Sequence, residues 1–491
     1  MKSKLERHFN HFRKNIVGID QEFETPYGTK KMVYADWIAS GRLYTLIEER
    51  IAKQIGPYIG NTHTETSETG TLMTKAYQYA HKLIKAHVNA NNDDVIITAG
   101  FGMTAVVNKF QRILGLKSCC SFDDGECKEK VEKPVVFVTH MEHHSNHTSW
   151  LETYADVVLI PPDENNLVDP DELRKLIVRY RNRKRKIGAF TACSNVTGII
   201  PDYYELASIM HENGGLAFID FAGSAPYVDI DMHPEDPLKQ LDAIFFSPHK
   251  FLGGPGSSGV LIFNKNLYKR PVPDNPGGGT VEWTNPWGGH QYIEDIELRE
   301  DGGTPGFLQA IRAALTIEVK KQMDTRLMKQ REQELVKQAL DGFGKINGLH
   351  ILAGHIKDRL GIFSFWFENV HFNLIVKLLN DRYGIQVRGG CACAGTYGHF
   401  LLNVTPEKSE HIIKLIREGD LSEKPGFVRI SLHPTMTDEE LAFIINAVKE
   451  IGENHEDWAK DYDYDPHNNE FYHKKEPKDK TPRIVQWFNL S

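Results

Sequence analysis

Lys250 stands in Ser247-Pro248-His249-Lys250-Phe251-Leu252-Gly253-Gly254, just past the apolar run 243–246. A lone lysine is usually surface charge. Here aromatics and glycines reverse that expectation, because desolvation lowers the ammonium pKa and leaves an amine able to form a Schiff base. Asp220 ends another apolar run, 216–219. A carboxylate there is costly without a partner. It is either a helix cap or ion pair, or an acid that binds a protonated ring nitrogen. His143 lies in His140-Met141-Glu142-His143-His144-Ser145-Asn146-His147, after the run 135–139. A ring-stacking or proton-handling histidine ranks first there, and loop capping second. His143 and His147 are four apart, but nothing nearby completes a catalytic zinc set, so no metal is expected. Asn195 follows the run 187–192 and is either a turn former or a hydrogen-bonding group at the sheet edge. Ala99-Gly100-Phe101-Gly102-Met103-Thr104-Ala105 follows the run 95–98 and opens a helical pattern. Backbone amides and the helix dipole can hold a phosphate there. The segment also fits G-x-G-x-x-A, but a dinucleotide site wants an acid about 20 residues on, after the next strand. Asp123 and Asp124 fall in an insertion instead, so a phosphate cradle is expected and NAD is not.

These residues need a scaffold. Seven short apolar runs, 95–98, 135–139, 157–160, 187–192, 216–219, 243–246 and 260–263, are rich in β-branched and aromatic residues. Continuous apolar runs suit strands buried on both faces. Helical patterns at 169–180, with Pro170 early, and at 201–213, stopped by Gly214-Gly215, fall between them. The alternation predicts an α/β domain with a mostly parallel seven-stranded sheet and helices on both faces. Ligands in such sheets bind outside the carboxyl ends of the strands. Lys250, Asp220, Gly102 to Thr104 and His143 all follow strands at that end. One cofactor uses all four: pyridoxal 5′-phosphate (PLP) needs a lysine, an acid for its pyridine nitrogen, a phosphate cradle and something flat against its ring.

The expected organisation is an N-terminal segment at 1–33, a large PLP-binding domain at 34–305, a smaller C-terminal α+β domain at 306–455 and a polar tail at 456–491. The smaller domain has strand candidates at 361–367 and 427–432 and a last helix at 438–451. Trp487 and Phe488 suggest that the tail packs back on the body. Residues 117–133, with Cys119, Cys120 and Cys127, read as a surface insertion. Of 491 residues, 58 are Lys or Arg and 66 are Asp or Glu, a net charge of −8, which disfavours general nucleic-acid binding. No apolar run approaches the ~20 residues of a membrane helix, and no signal peptide is recognisable. Six cysteines in this length make no disulfide scaffold, so a reducing, cytoplasmic setting is expected.

The chain resembles the class V aminotransferase-fold enzymes, and among them the cysteine desulfurase and selenocysteine lyase group. The resemblance covers about residues 34–451. It is carried by Tyr34-Ala35-Asp36, Asn61-Thr62-His63, Gly102-Met103-Thr104, Glu142-His143-His144-Ser145-Asn146 and Ser194-Asn195-Val196-Thr197-Gly198. Asp220, Ser247-Pro248-His249-Lys250, Gly302-Gly303-Thr304-Pro305 and Arg388-Gly389-Gly390-Cys391-Ala392-Cys393 complete it. It implies PLP-dependent transferase fold type I. It also implies that Lys250 bonds the cofactor, His143 stacks on its ring, Asp220 pairs with the ring nitrogen and Asn195 lies near the ring hydroxyl. Gly102, Met103, Thr104, Ser247 and His249 hold the phosphate, with Thr304 reaching over from the partner of a homodimer. Arg388 binds the substrate carboxylate, His63 is a proton shuttle, and Cys393 accepts sulfur.

The implied reaction converts L-cysteine to L-alanine and leaves a persulfide on Cys393, for onward transfer to a sulfur-acceptor protein. Selenocysteine lyase, aminotransferase, epimerase or C–S lyase chemistry is the alternative, and a non-catalytic partner in sulfur transfer a third reading. The chain departs from the family pattern in four places. Met103 replaces a threonine, Gly223 replaces a glutamine, Trp37-Ile38 are bulkier than usual, and Cys391-Ala392 replace two histidines. Cys391 has no counterpart in the family. Cys391 and Cys393 resemble half a metal clip, but no second pair exists.

Overall fold

The computed structural model describes residues 3–117, 132–476 and 481–490. The expected insertion, with its three cysteines, lies almost wholly outside the described residues. All seven apolar runs form one sheet: β1 (Asp94–Ala99), β2 (Val135–Thr139), β3 (Asp156–Ile160), β4 (Lys186–Thr191), β5 (Leu216–Asp220), β6 (Ala243–Phe246) and β7 (Gly259–Asn264). Their order is β1-β7-β6-β5-β4-β2-β3. From β6 to β3 every pairing is parallel. β7 runs against both its neighbours, β1 and β6.

Alternate residues of each strand enter different cores. Ile96, Phe137, Phe190 and Ile244 pack with the helix α1 (Glu68–His87) on one face. Ile97, Val138, Ala189 and Phe245 pack with α2 (Met103–Ile113) and with Trp150 of α3 (His144–Leu151) on the other. Two covered faces are why these strands read as unbroken apolar runs. The expected helices are present as Pro170–Arg179 and Tyr203–Glu212, capped by Asp169 and Asp202.

A second sheet is antiparallel, with β8 (Leu349–Ile351), β9 (Ile362–Phe367), β10 (Arg388–Gly390) and β11 (Phe427–Ser431) in the order β8-β9-β11-β10. Helices Thr325–Phe343, Phe372–Tyr383 and Asp438–Trp458 contribute to its core. Phe9, Phe12 and Val33 share that core with Leu335, Phe365 and Ile430, so the N-terminal residues belong with it. Helix Phe307–Met323 enters both cores, through Ile311 and Ala314 on one side and Val319 and Met323 on the other. The tail is anchored differently from expectation. Trp487 and Phe488 are 70% and 81% exposed. A hairpin, Tyr462–Asp465 with Glu470–His473, makes the attachment instead. Its Tyr462 hydroxyl donates to Asp381 at 3.0 Å, and Lys377 pairs with Glu476 at 2.7 Å. No helix among the described residues is long and apolar enough to cross a membrane.

Candidate active site

Outside the carboxyl ends of β2, β4, β5 and β6, a cavity of about 820 Å³ opens toward β10 and β11. A single turn, Pro248–Lys250, follows β6 and places Lys250 in its wall. Burial lowers the Lys250 pKa to about 8, and the Asp220 carboxylate works against that shift. Asp220 is the last residue of β5 and accepts from the Ala222 amide at 2.8 Å. Burial pushes its carboxyl up to about 6, opposed by that amide and by Lys250. His143 caps α3 by accepting from the Ser145 amide at 3.1 Å through Nδ1. Burial, with help from Lys250, holds its pKa down at about 3, so the ring facing the cavity is neutral.

Gly102 opens α2 with no side chain to cap it. A Cβ there would sit 3.1 Å from Ser247 Oγ and 3.5 Å from the His249 ring, so glycine keeps that space open. The Met103 amide donates to Ser247 Oγ at 2.8 Å, which ties the start of α2 to the turn after β6. Thr104 and Ser145 share a hydroxyl hydrogen bond of 2.6 Å at the rim. Asn195 donates to the Ala392 carbonyl at 2.7 Å, and its Oδ1 is buried without a partner.

Three contributors were not singled out from sequence. Arg429, from the middle of β11, lines the cavity although only 3% exposed. It pairs with Asp36 at 2.9 Å and donates to the Asn195 carbonyl at 3.2 Å, while its Nε has no partner. An arginine inside the apolar run of β11 is the signal that could have found it, because a buried guanidinium demands carboxylates or carbonyls. Glu142 lies behind the site. Its carboxylate accepts from Thr139 Oγ1 (2.6 Å), Asn146 (2.8 Å) and the Thr191 amide (2.8 Å). His144 grips the Cys393 loop from both sides. Its amide donates to the Cys393 carbonyl at 2.7 Å, and its Nε2 accepts from the Gly395 amide at 2.9 Å.

Arg388 also lines the cavity, but it is exposed and its Nη2 lies 3.8 Å from Cys393 Sγ. Cys393 itself faces a smaller outer cavity that shares Arg388 and Ala392 with the main one. His63 and Thr304 do not line the cavity of their own chain. Thr304 Oγ1 donates to Asn61 at 3.4 Å, two residues from His63, whose ring packs on Gly279. A Cβ on Gly223 would lie 3.8 Å from Ile38 Cδ1, so the larger Ile38 occupies space that a longer side chain at 223 would use. Trp37 points elsewhere and stacks on His433 at 4.1 Å. His147 Nδ1 meets Thr396 Oγ1 at 3.2 Å rather than joining His143. Among the described residues no cluster of three potential metal ligands occurs.

The sequence profile of the family described as Aminotransferase class-V matches residues 33–443. The chain belongs to this family. Class V aminotransferase-fold enzymes depend on PLP, so the chain is a PLP-dependent enzyme of transferase fold type I. A probable cysteine desulfurase of Halalkalibacterium halodurans is 27% identical over 367 residues, 74% of this chain and 84% of that protein. One from Staphylococcus epidermidis is 28% identical over 376 residues, 76% and 85% of the two chains. The solved structure of the cysteine desulfurase CsdA from Escherichia coli superposes with a TM-score of 0.70 at 23% identity, covering 91% of this chain and 98% of that one. The apo cysteine desulfurase from Thermococcus onnurineus also gives 0.70, at 21% identity, covering 90% and 98%. These likenesses fix the class V fold. The residues present fit the cofactor: a helix start opened by Gly102 beside Ser247 and His249, an orphaned Asn195 oxygen, and a half-buried Lys250 under the influence of the buried Asp220 carboxylate.

Proposed function

We propose that this enzyme is a cysteine desulfurase. L-cysteine gives L-alanine, and the sulfur stays on Cys393 as a persulfide. The observation that carries this reading is the position of Cys393. Its sulfur sits 3.8 Å from Arg388, on the loop gripped by His144, at the boundary between the main cavity and an outer one. Relatives called probable cysteine desulfurases support it.

Lys250 bonds the cofactor, whose phosphate falls to Gly102, Met103, Thr104, Ser247 and His249. When bound, PLP supplies an electron sink for charge formed at the substrate Cα. Asp220 holds a proton on the ring nitrogen, and the neutral His143 offers a flat face to the ring. The guanidinium of Arg429, which lines the cavity, takes the substrate carboxylate, and Arg388 adds charge at the mouth. Lys250, a weak base held near neutrality by burial, moves the Cα proton. The Cys393 thiolate attacks the substrate sulfur. The carbon–sulfur bond breaks, its electron pair goes to carbon, and a proton there completes alanine. Thr304 and His63 act in the partner's site of a homodimer, and the free thiols suit a reducing, cytoplasmic setting. A protein that accepts sulfur from Cys393 completes the cycle.

The test is an absorbance spectrum before and after L-cysteine, with alanine and sulfide measured together. Alanine release that is abolished in Cys393→Ser is expected. Full alanine release by C393S would sink the persulfide step and leave another class V reaction.

A further inference from the structure

The outer cavity, about 290 Å³, brings together two features foreign to the family pattern. One is Cys391, beside Cys393. The other is the hairpin of the tail, whose turn residues Asn468 and Asn469 form part of the wall. The family match ends at residue 443, so this wall lies beyond it. The hairpin is held there by Asn373, which donates to the Asn469 carbonyl at 2.5 Å. Lys424 completes a basic lining with Arg388.

Cys391 and Cys393 are half-buried, whereas Ala392 and Ala394 between and after them are buried. Both thiols therefore stand on the open side. A residue serving only as small core filler would sit with the alanines. Positive φ at Ala392 (50°) and Cys393 (58°) keeps this stretch out of ordinary strand geometry. Such strain persists where surrounding structure enforces it, here the His144 grip. Residues two apart have Cα atoms no more than ~7 Å from each other, a bound that overlaps the ~4.4–6.8 Å over which two cysteine sulfurs can bond.

We propose that Cys391 is a second sulfur carrier, receiving the sulfane sulfur from Cys393 inside this outer chamber. The proposal rests on the desulfurase reading above. The step is a thiol–disulfide exchange. The Cys391 thiolate attacks the outer sulfur of the Cys393 persulfide. One sulfur–sulfur bond forms and one breaks, and Cys393 leaves as a thiolate beside Arg388. No oxidant or reductant is consumed. Cys393 is then free for the next substrate while the cargo waits, away from the main cavity, for an acceptor thiol.

Holoenzyme mixed with limiting L-cysteine, quenched with an alkylating agent at successive times and digested, shows by fragment mass spectra which cysteine carries an extra sulfur. The expected result is label on Cys393 first and on Cys391 later, with alanine formed throughout. In Cys391→Ser the label stays on Cys393, and in C393S neither position acquires it. Alanine formation with label confined to Cys393 in the unsubstituted enzyme overturns the relay and leaves the desulfurase reading standing. Label on Cys391 in C393S overturns the order of transfer. Neither alanine nor label in the unsubstituted enzyme overturns both.

Discussion

At the scale of single residues, Lys250 and Arg429 show two ways that burial sets chemistry. Burial takes Lys250 to about 8, so in cofactor-free protein its neutral amine grows in as pH rises through that value. The rate of PLP incorporation is expected to rise with a midpoint near there. Asp220 raises the lysine pKa, so Asp220→Asn is expected to move the midpoint lower, as followed by stopped-flow absorbance. Arg429→Lys is expected to raise KM for L-cysteine by about tenfold or more, the loss of one charge-assisted hydrogen bond. Arg388→Lys, at an exposed position, should raise it less. Lys250, Asp220, His143 and Asn195 stood out in the sequence because each ends or closely follows an apolar run, and the structure brings all four to the lining of one cavity. Arg429 was not found because its partners are Asp36, 393 residues away, and a backbone carbonyl, which no spacing pattern reveals.

At the scale of elements, Glu142 ties the end of β2 to the end of β4 and to α3 through Thr139, Thr191 and Asn146. Burial outweighs these donors and pushes its pKa from 4.5 to about 8. The folded chain therefore binds more protons here than the unfolded one. This group's stabilisation is complete below 4.5 and is lost as pH rises through about 8. Glu142→Ala is expected to cost about 2 kcal/mol or more, because it leaves the buried Thr139, Asn146 and Thr191 donors without an acceptor. Thermal melts of the variant should also depend less on pH over that window than those of the parent chain. All seven strands were legible, since covering both faces of a sheet leaves a continuous apolar signature. The pairing of Val33–Tyr34 with Ile385–Gln386 was not, because two-residue strands carry no period.

At the scale of the whole molecule, His63 and Thr304 turn away from their own cavity and share one surface. If they serve a partner's site, mixing inactive Lys250→Ala with inactive His63→Ala should restore part of the activity, because one site of each mixed dimer is then intact. Recovery is read as alanine release after subunit exchange. Absence of recovery, with exchange shown by native mass spectrometry, would return His63 to its own chain. The exposed ends of the tail were misread because aromatic content alone does not say what an aromatic touches. Finally, β1 has a single neighbour in the sheet, β7, made from residues about 160 positions later in the chain. During synthesis, β1 therefore waits unpaired until Asn264 has left the ribosome. The start of α2 that follows it is fixed in place beside Ser247 and His249 only once that pairing forms. Because chains emerge from the N-terminus at ~5–20 residues per second, the contact of the α2 start with Ser247 and His249, which we propose holds the phosphate, is expected to form ~10 s or more after Gly102 is made. A nascent chain halted with Lys250 already outside the ribosome but Gly259–Asn264 still inside it should then fail to retain PLP.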